Sequence, residues 1–217
     1  MTAFAVIAGA GSAGLTWRPV ASEVDALVLP LPAADDVAGM AAILAPQVAN
    51  LPEPRVLVGT SVGGMVALEI ARTTRVQALV MVAAGFGITV SESALAWLEA
   101  NPPDLHPKLA RLCLADRTHA ARIAALVADY DACGQPAHLR QIRAVARYRP
   151  EPLNSPPPTL VLWGESDRAI PFADHLELTL RCRGALVPIA GAAHVPFLEQ
   201  PAVVVNWLRR AAAMAAA

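Results

Sequence analysis

The stretch Val56-Leu57-Val58-Gly59-Thr60-Ser61-Val62-Gly63-Gly64-Met65-Val66-Ala67-Leu68-Glu69-Ile70-Ala71-Arg72 decides how this chain folds. Its first three residues form a continuous apolar run, as a parallel strand buried on both faces requires. From Val62 onward the apolar residues Val62, Met65, Val66, Leu68 and Ile70 recur at helical spacing. One serine sits at the junction, with Gly59 and Gly63 two positions to either side, a G-x-S-x-G pattern. A strand that becomes a helix within two or three residues forces the turn residue into a strained backbone conformation, and flanking glycines leave room for it. Ser61 is then held out beyond the end of the sheet, beside a helix N-terminus.

Working outward, the chain alternates between strand-like and helix-like segments. Strands are expected at Ala3 to Ala8, Ala26 to Leu29, Val76 to Ala83, Thr159 to Trp163 and Ala185 to Pro188, besides the one before Ser61. Helices are expected over Trp17 to Glu23, 38 to 49, Phe172 to Arg181 and from Pro201, the last with proline at a tolerated first-turn position. The alanine-rich tail after Arg210 is expected to fray. Residues 85–150 carry no strand signal and read as three or four short helices: near Ser91, around Lys108, from Thr118 to Asp131 and from Pro136 to Arg147. This is an α/β chain with a mostly parallel sheet of about six strands and helices on both faces. Sites in such sheets lie beyond the carboxyl ends of the strands, so the loops that follow strands are the ones to search.

Composition narrows the class. The 217 residues are 55% hydrophobic and 16% charged, long enough for one domain with a full core. A formal net charge of −1 with no basic block argues against nucleic-acid binding. Cys113, Cys133 and Cys182 are odd in number and far apart, which suits reduced thiols and a cytoplasmic setting. The apolar start has no basic residue before Arg18 and does not read as a secretory signal. No apolar run reaches the roughly 18 to 20 residues of a membrane span; the longest, 76–90, is interrupted by Gly85 and Gly87. Neither a metal nor an organic cofactor is suggested by any H-E-x-x-H, paired-cysteine or carboxylate cluster.

A serine hydroxyl needs a base to take its proton, and that base needs an orienting acid. Of five histidines, His106, His119 and His138 lie in the helical stretch and His175 lies within a helix; only His194 follows a strand end. Among carboxylates, Asp167 follows the strand ending at Trp163, with Glu165 its rival and Asp104 and Asp116 weaker ones. An oxyanion hole would draw one backbone N–H from Val62 and the other from the loop after the first strand, at Ala10.

These stretches together resemble the α/β-hydrolase superfamily, in its small esterase-like members with a helical cap. The resemblance rests on Gly9-Ala10-Gly11 with Trp17-Arg18-Pro19-Val20, on Gly59-Thr60-Ser61-Val62-Gly63-Gly64, on Gly164-Glu165-Ser166-Asp167 and on His194-Val195-Pro196-Phe197-Leu198-Glu199-Gln200-Pro201. It spans nearly the whole chain. It implies a hydrolase core of residues 1–84 and 151–217, a cap of residues 85–150, and Ser61 as nucleophile, His194 as general base and Asp167 as orienting acid, in the hydrolase-fold order. The substrate it implies is a small-molecule ester or thioester of a small apolar acyl group, cleaved through an acyl-enzyme without cofactor. Acyl transfer or carbon–carbon cleavage could use the same groups. Met65, Trp97, Phe172 and Val195 are the candidate pocket residues. The family usually carries His-Gly where this chain has Ala8-Gly9, so the loop lacks its usual steadying side chain.

Two other readings compete. Gly9-Ala10-Gly11-Ser12-Ala13-Gly14 is a literal G-x-G-x-x-G with Asp35 and Asp36 roughly 20 residues on, as a dinucleotide site would have. Pro19 leaves little helix behind that loop, however, and Pro30-Leu31-Pro32 separates the second strand from the acids. The other is a hydrolase fold used only to bind a ligand, against which an intact Ser, Asp and His set argues.

Overall fold

Six apolar runs become six parallel strands in the computed structural model, which describes residues 1–217. They are β1 (Ala3–Ile7), β2 (Ala26–Leu29), β3 (Arg55–Thr60), β4 (Ala78–Val82), β5 (Thr159–Gly164) and β6 (Ala185–Ile189), in the order β2-β1-β3-β4-β5-β6. The helices are α1 (Arg18–Ser22), α2 (Val37–Ala49), α3 (Val62–Thr73), α4 (Glu92–Ala100), α5 (Leu105–Cys113), α6 (Ala120–Cys133), α7 (Gln135–Ala146), α8 (Phe172–Arg181), α9 (Pro196–Glu199) and α10 (Pro201–Ala216).

Period-two alternation divides the strand residues between two cores. Ala5, Ile7, Leu57, Leu79, Met81 and Val161 pack with residues of α2, α3 and α8 on one face. Phe4, Val6, Val56, Val58, Val80, Val82, Leu160 and Leu162 pack with residues of α1, α9 and α10 on the other. Helices therefore cover both faces, and β3 and β4 run almost wholly buried through the middle.

The order of the strands positions the site. The chain leaves β1 for β2 on one side and returns to β3 on the other, which opens a crevice between the loops that follow β1 and β3. Pairing of Ile7 with Gly59 sets Ala8, Gly9 and Ala10 beside Thr60, Ser61 and Val62. Pairing of Gly164 with Ile189 likewise brings the loops after β5 and β6 together. Between β4 and β5 the chain forms α4 to α7, which lie over this end of the sheet.

One expectation changes. The C-terminal tail does not fray: α10 continues to Ala216, with Ala211 fully buried against the sheet side. Alanine is the strongest helix former, so a docked helix propagates readily through such a tail. The loop after β1 passes, as expected, into only a short helix: a 3-10 turn at Leu15–Trp17 followed by the five-residue α1.

Candidate active site

The turn between β3 and α3 has the strain its sequence implies. Ser61 adopts φ 51° and ψ −121°, a region sparsely populated by residues with a side chain. The turn is pinned from both sides, with Ser61 N–H donating to the Val82 carbonyl at 3.0 Å and Gly64 N–H to the Ser61 carbonyl at 2.9 Å. The glycines allow the close packing this needs. A Cβ on Gly59 would lie 2.5 Å from the Gly64 Cα, and one on Gly63 would overlap the backbone oxygens of Ile7 and Ala8.

Asp167 and His194 meet across the loops after β5 and β6. His194 Nδ1 lies 2.9 Å from Asp167 Oδ2 and donates to it, which leaves Nε2 as the acceptor nitrogen of the ring. The other carboxylate oxygen, Oδ1, accepts from Ala169 N–H at 2.8 Å and Ile170 N–H at 3.1 Å. The Asp167 side chain is fully buried, and burial alone would raise its pKa. The charge of His194, the two histidines beside it and the Ile170 N–H outweigh burial and hold the carboxyl well below the usual carboxylate range. The second histidine is His175, fully buried, whose Nε2 stands 3.5 Å from the same Oδ2. At that distance, with neither ring nitrogen hydrogen-bonded, it is an electrostatic neighbour rather than a full hydrogen-bond donor.

The loop carrying His194 is fastened by the remainder of its motif. Glu199, buried, accepts from Ala193 N–H at 2.6 Å and from Ala115 N–H at 2.8 Å, and His194 N–H donates to the Cys113 carbonyl at 3.0 Å. Glu199 thereby ties the histidine loop to the end of α5. Trp17 stacks on Phe197 with ring centroids 4.1 Å apart, joining the loop after β1 to α9.

Ser61 and His194 open into one cavity of about 350 Å³ between the sheet end and α4 to α7. No hydrogen bond joins the Ser61 hydroxyl to His194, though both line the same cavity. Gly9, Ala10 and Val62 line the same cavity, and neither the Ala10 N–H nor the Val62 N–H donates to a protein acceptor. Most of the wall is apolar, including Ile88, Val90, Leu98, Leu109, Leu126, Ile142, Ile170 and Val195. Ser12, Asp129, Tyr130 and His138 make a polar region. Cys113 also reaches the cavity, but burial pushes its thiol up to about 12, so it is no rival nucleophile at neutral pH.

Of the four residues expected to form the pocket, Val195 lines it and three do not. Met65 is fully buried in the core under α3, because its position on the helix faces the sheet. Phe172 is 45% exposed and rests on Trp163, on the far side of the β5 loop. Trp97 lies one residue before Leu98 on α4, and only Leu98 is turned inward. Arg168 is exposed and lines the cavity. The rival acids Glu165, Asp104 and Asp116 are all exposed, and the carboxylate that pairs with His194 is Asp167.

Asp129 and Gln141 escaped the sequence reading. Both are buried, Asp129 on α6 and Gln141 on α7, and both bond to the glycine loop after β1. The one available signal was a charged residue on the same helical face as Leu126 and Tyr130. These bonds also answer the dinucleotide reading. The N–H groups of Gly11, Ala13, Leu15 and Thr16, which would have to cradle a pyrophosphate, already donate to Gln141 and to a carboxylate. No group of three or more histidine, cysteine or acidic side chains is arranged to hold a metal ion, and no helix is long and apolar enough to cross a membrane.

Residues 5–207 match the alpha/beta hydrolase family, and the chain belongs to it. Among solved structures, the fold is similar to an esterase from Exiguobacterium antarcticum, with TM-score 0.81 and 13% identity over 98% of this chain and 92% of that one. It is also similar to a thermophilic esterase from Thermogutta terrifontis, with TM-score 0.78 and 20% identity over 97% and 88% of the two chains. A 2-hydroxy-6-oxo-6-phenylhexa-2,4-dienoate hydrolase from Rhodococcus sp. strain RHA1 gives TM-score 0.76 and 17% identity over 96% and 89%. At these identities the likeness is one of fold. No curated protein matches the sequence significantly.

Proposed function

We propose that the protein is a serine hydrolase that cleaves a small apolar ester or thioester through an acyl-enzyme. Ser61 attacks the carbonyl carbon. His194 Nε2 takes the hydroxyl proton and passes it to the leaving alcohol or thiol. Asp167 holds the imidazole in the tautomer that leaves Nε2 free and stabilises the imidazolium. The N–H groups of Val62 and Ala10 receive the oxyanion. Water, deprotonated by His194, then releases the acid. Residues 85–150 act as a cap over a body formed by 1–84 and 151–217, and the three unpaired cysteines suit a reducing, cytoplasmic setting. The observation that carries the reading is the His194–Asp167 hydrogen bond at 2.9 Å, opening on the same cavity as a serine in a strained strand–helix turn.

The test is labelling with a fluorophosphonate, followed by intact mass and peptide mapping. A single adduct on Ser61, absent in His194→Ala, is expected. Ser61→Ala should lower kcat on p-nitrophenyl esters by roughly three decades or more. A chain-length series of those esters should favour short acyl groups, given the cavity volume of about 350 Å³. Undiminished turnover by purified Ser61→Ala would refute the mechanism.

A further inference from the structure

Within the loop that carries Ala10, only the Ser12 N–H to Gly9 carbonyl bond at 3.3 Å and the Gly14 N–H to Ser12 Oγ bond at 3.0 Å hold its turns. Ala8, Gly9, Ala10 and Gly11 bear no polar side chain, and Gly11 and Gly14 sit at φ 74° and 82°. The bonds that fasten the loop to the rest of the fold come mostly from more than a hundred residues away, in the cap. Asp129 Oδ1 accepts from Ala13 N–H and Leu15 N–H, each at 2.9 Å. Its Oδ2 accepts from the hydroxyls of Ser12 and Thr16, each at 2.7 Å, and from Thr16 N–H at 3.4 Å. Gln141 Oε1 accepts from Gly11 N–H at 2.8 Å, while its Nε2 donates to the Leu31 carbonyl at 2.9 Å. Asp129 is 1% exposed and Gln141 fully buried, so these bonds are made in a region shielded from water.

We infer that Asp129 and Gln141 are positioning residues for oxyanion stabilisation, holding the Ala10 N–H in place from the cap. The inference rests on the serine-hydrolase reading above. Gln141 grips the residue directly after Ala10, and the Ser12 N–H to Gly9 carbonyl bond at 3.3 Å closes a turn around it. The free Ala10 N–H is therefore fixed by its neighbours on both sides. The loop abuts the nucleophile, since a Cβ on Gly9 would lie 3.4 Å from the Ser61 Cβ. A donor counts in the transition state only if it is already aimed when charge develops on the substrate oxygen. A loop released from Gln141 and Asp129 would have to be ordered at that moment. Neither side chain touches the reacting atoms, so the loss should appear in kcat rather than in KM.

The test compares full-length Gln141→Leu, Asp129→Ala and Asp129→Asn with wild type. Gln141→Leu should lower kcat on p-nitrophenyl butyrate by about a hundredfold, with KM changed by no more than about twofold. Its inhibition constant for a butyl trifluoromethyl ketone, which forms an oxyanion on Ser61, should rise in parallel. Binding of the corresponding methyl ketone should not change. Asp129→Ala should lower kcat likewise; because its carboxylate also lines the cavity, the test of an unchanged KM rests on Gln141→Leu. Asp129→Asn should fall between wild type and Asp129→Ala, because the amide oxygen can still accept from Ala13 and Leu15 N–H and its NH2 can donate to the Ser12 and Thr16 hydroxyls, while the Thr16 N–H loses its acceptor. If Asp129→Ala does not fold, Gln141→Leu decides the matter, with amide exchange of residues 9–16 read alongside. Wild-type kcat in folded Gln141→Leu, or a change confined to KM, would overturn the inference while an inactive Ser61→Ala leaves the hydrolase reading standing. An active Ser61→Ala would overturn both.

Discussion

Ser61 concentrates the conflict between stability and use at a single residue. Its φ of 51° is affordable only because the Val82 carbonyl, the Gly64 N–H and two close-packed glycines determine the turn around it. A side chain in such a region costs on the order of 1–3 kcal/mol, and glycine has no Cβ to strain. Ser61→Gly should therefore unfold about 1 kcal/mol less readily than wild type, a rise in Tm of roughly 2–4 °C, while ester turnover disappears. A calorimetric scan showing a lower Tm would mean that the turn is not strained. The residues after strands were legible in the sequence: Ser61, Asp167 and His194 each lie in the loop that follows an apolar run, and the fold rule sends such loops to one end of the sheet. The cavity wall was not. Met65 and Phe172 are near the site along the chain and Trp97 lies in the helical stretch over it, but one residue of helical rotation decides whether a side chain points into a cavity, a core or solvent. Asp129 and Gln141 were missed for the same reason, since their bonds join residues that only the tertiary fold brings together.

At the scale of elements, the close crossing of α3 over the end of β1 sets where the serine stands. Gly63 lies against the backbone oxygens of Ile7 and Ala8, groups that cannot rotate away as a side-chain tip could. Gly63→Ala should therefore destabilise the protein by about 3 kcal/mol. The same shift should push α3 off the sheet and lower kcat. Urea unfolding would register this as a lower midpoint at unchanged slope, and a midpoint equal to wild type would contradict the packing. The six strands were readable as apolar runs to within a residue or two at their ends, and α8 matched its expected limits of Phe172 and Arg181. The elements read less well were those whose form depends on docking. α9 is a single turn held by Glu199 and by the Trp17–Phe197 stack, and α10 continues past Arg210 because Ala211 finds a buried place. Neither support has a local sequence signal.

For the whole molecule, the cavity lies between the end of the sheet and α4 to α7, so groups buried there to shape it also tie global stability to pH. His138 on α7 packs parallel to Tyr130, with ring centroids 5.9 Å apart, against the space left by Gly11. It is 5% exposed, and burial, followed by the nearby charge of His106, pushes its pKa from 6.5 down to about 4. Folding therefore favours the neutral ring. Below pH 6.5 the unfolded chain takes up a proton at this site that the folded chain refuses, so stability falls as the pH drops and levels off near pH 4. The full interval is worth about 3 kcal/mol. Asp167 acts with the opposite chemistry and the same outcome on a lower range. Its carboxyl is held below the ordinary value of 3.8, so its contribution is complete above that value and is lost only as the pH falls further. The two limbs are thus separable. His138→Phe keeps an aromatic ring on Tyr130 and removes the titration, and its unfolding free energy should change less than that of wild type between pH 6.5 and 4, the two curves converging toward acid and the variant losing ground toward neutral pH only by its packing cost. Parallel curves in urea titrations across that interval would show that the imidazole keeps its solvent-like affinity for protons, and that the polar region of the cavity is wetter than its packing implies.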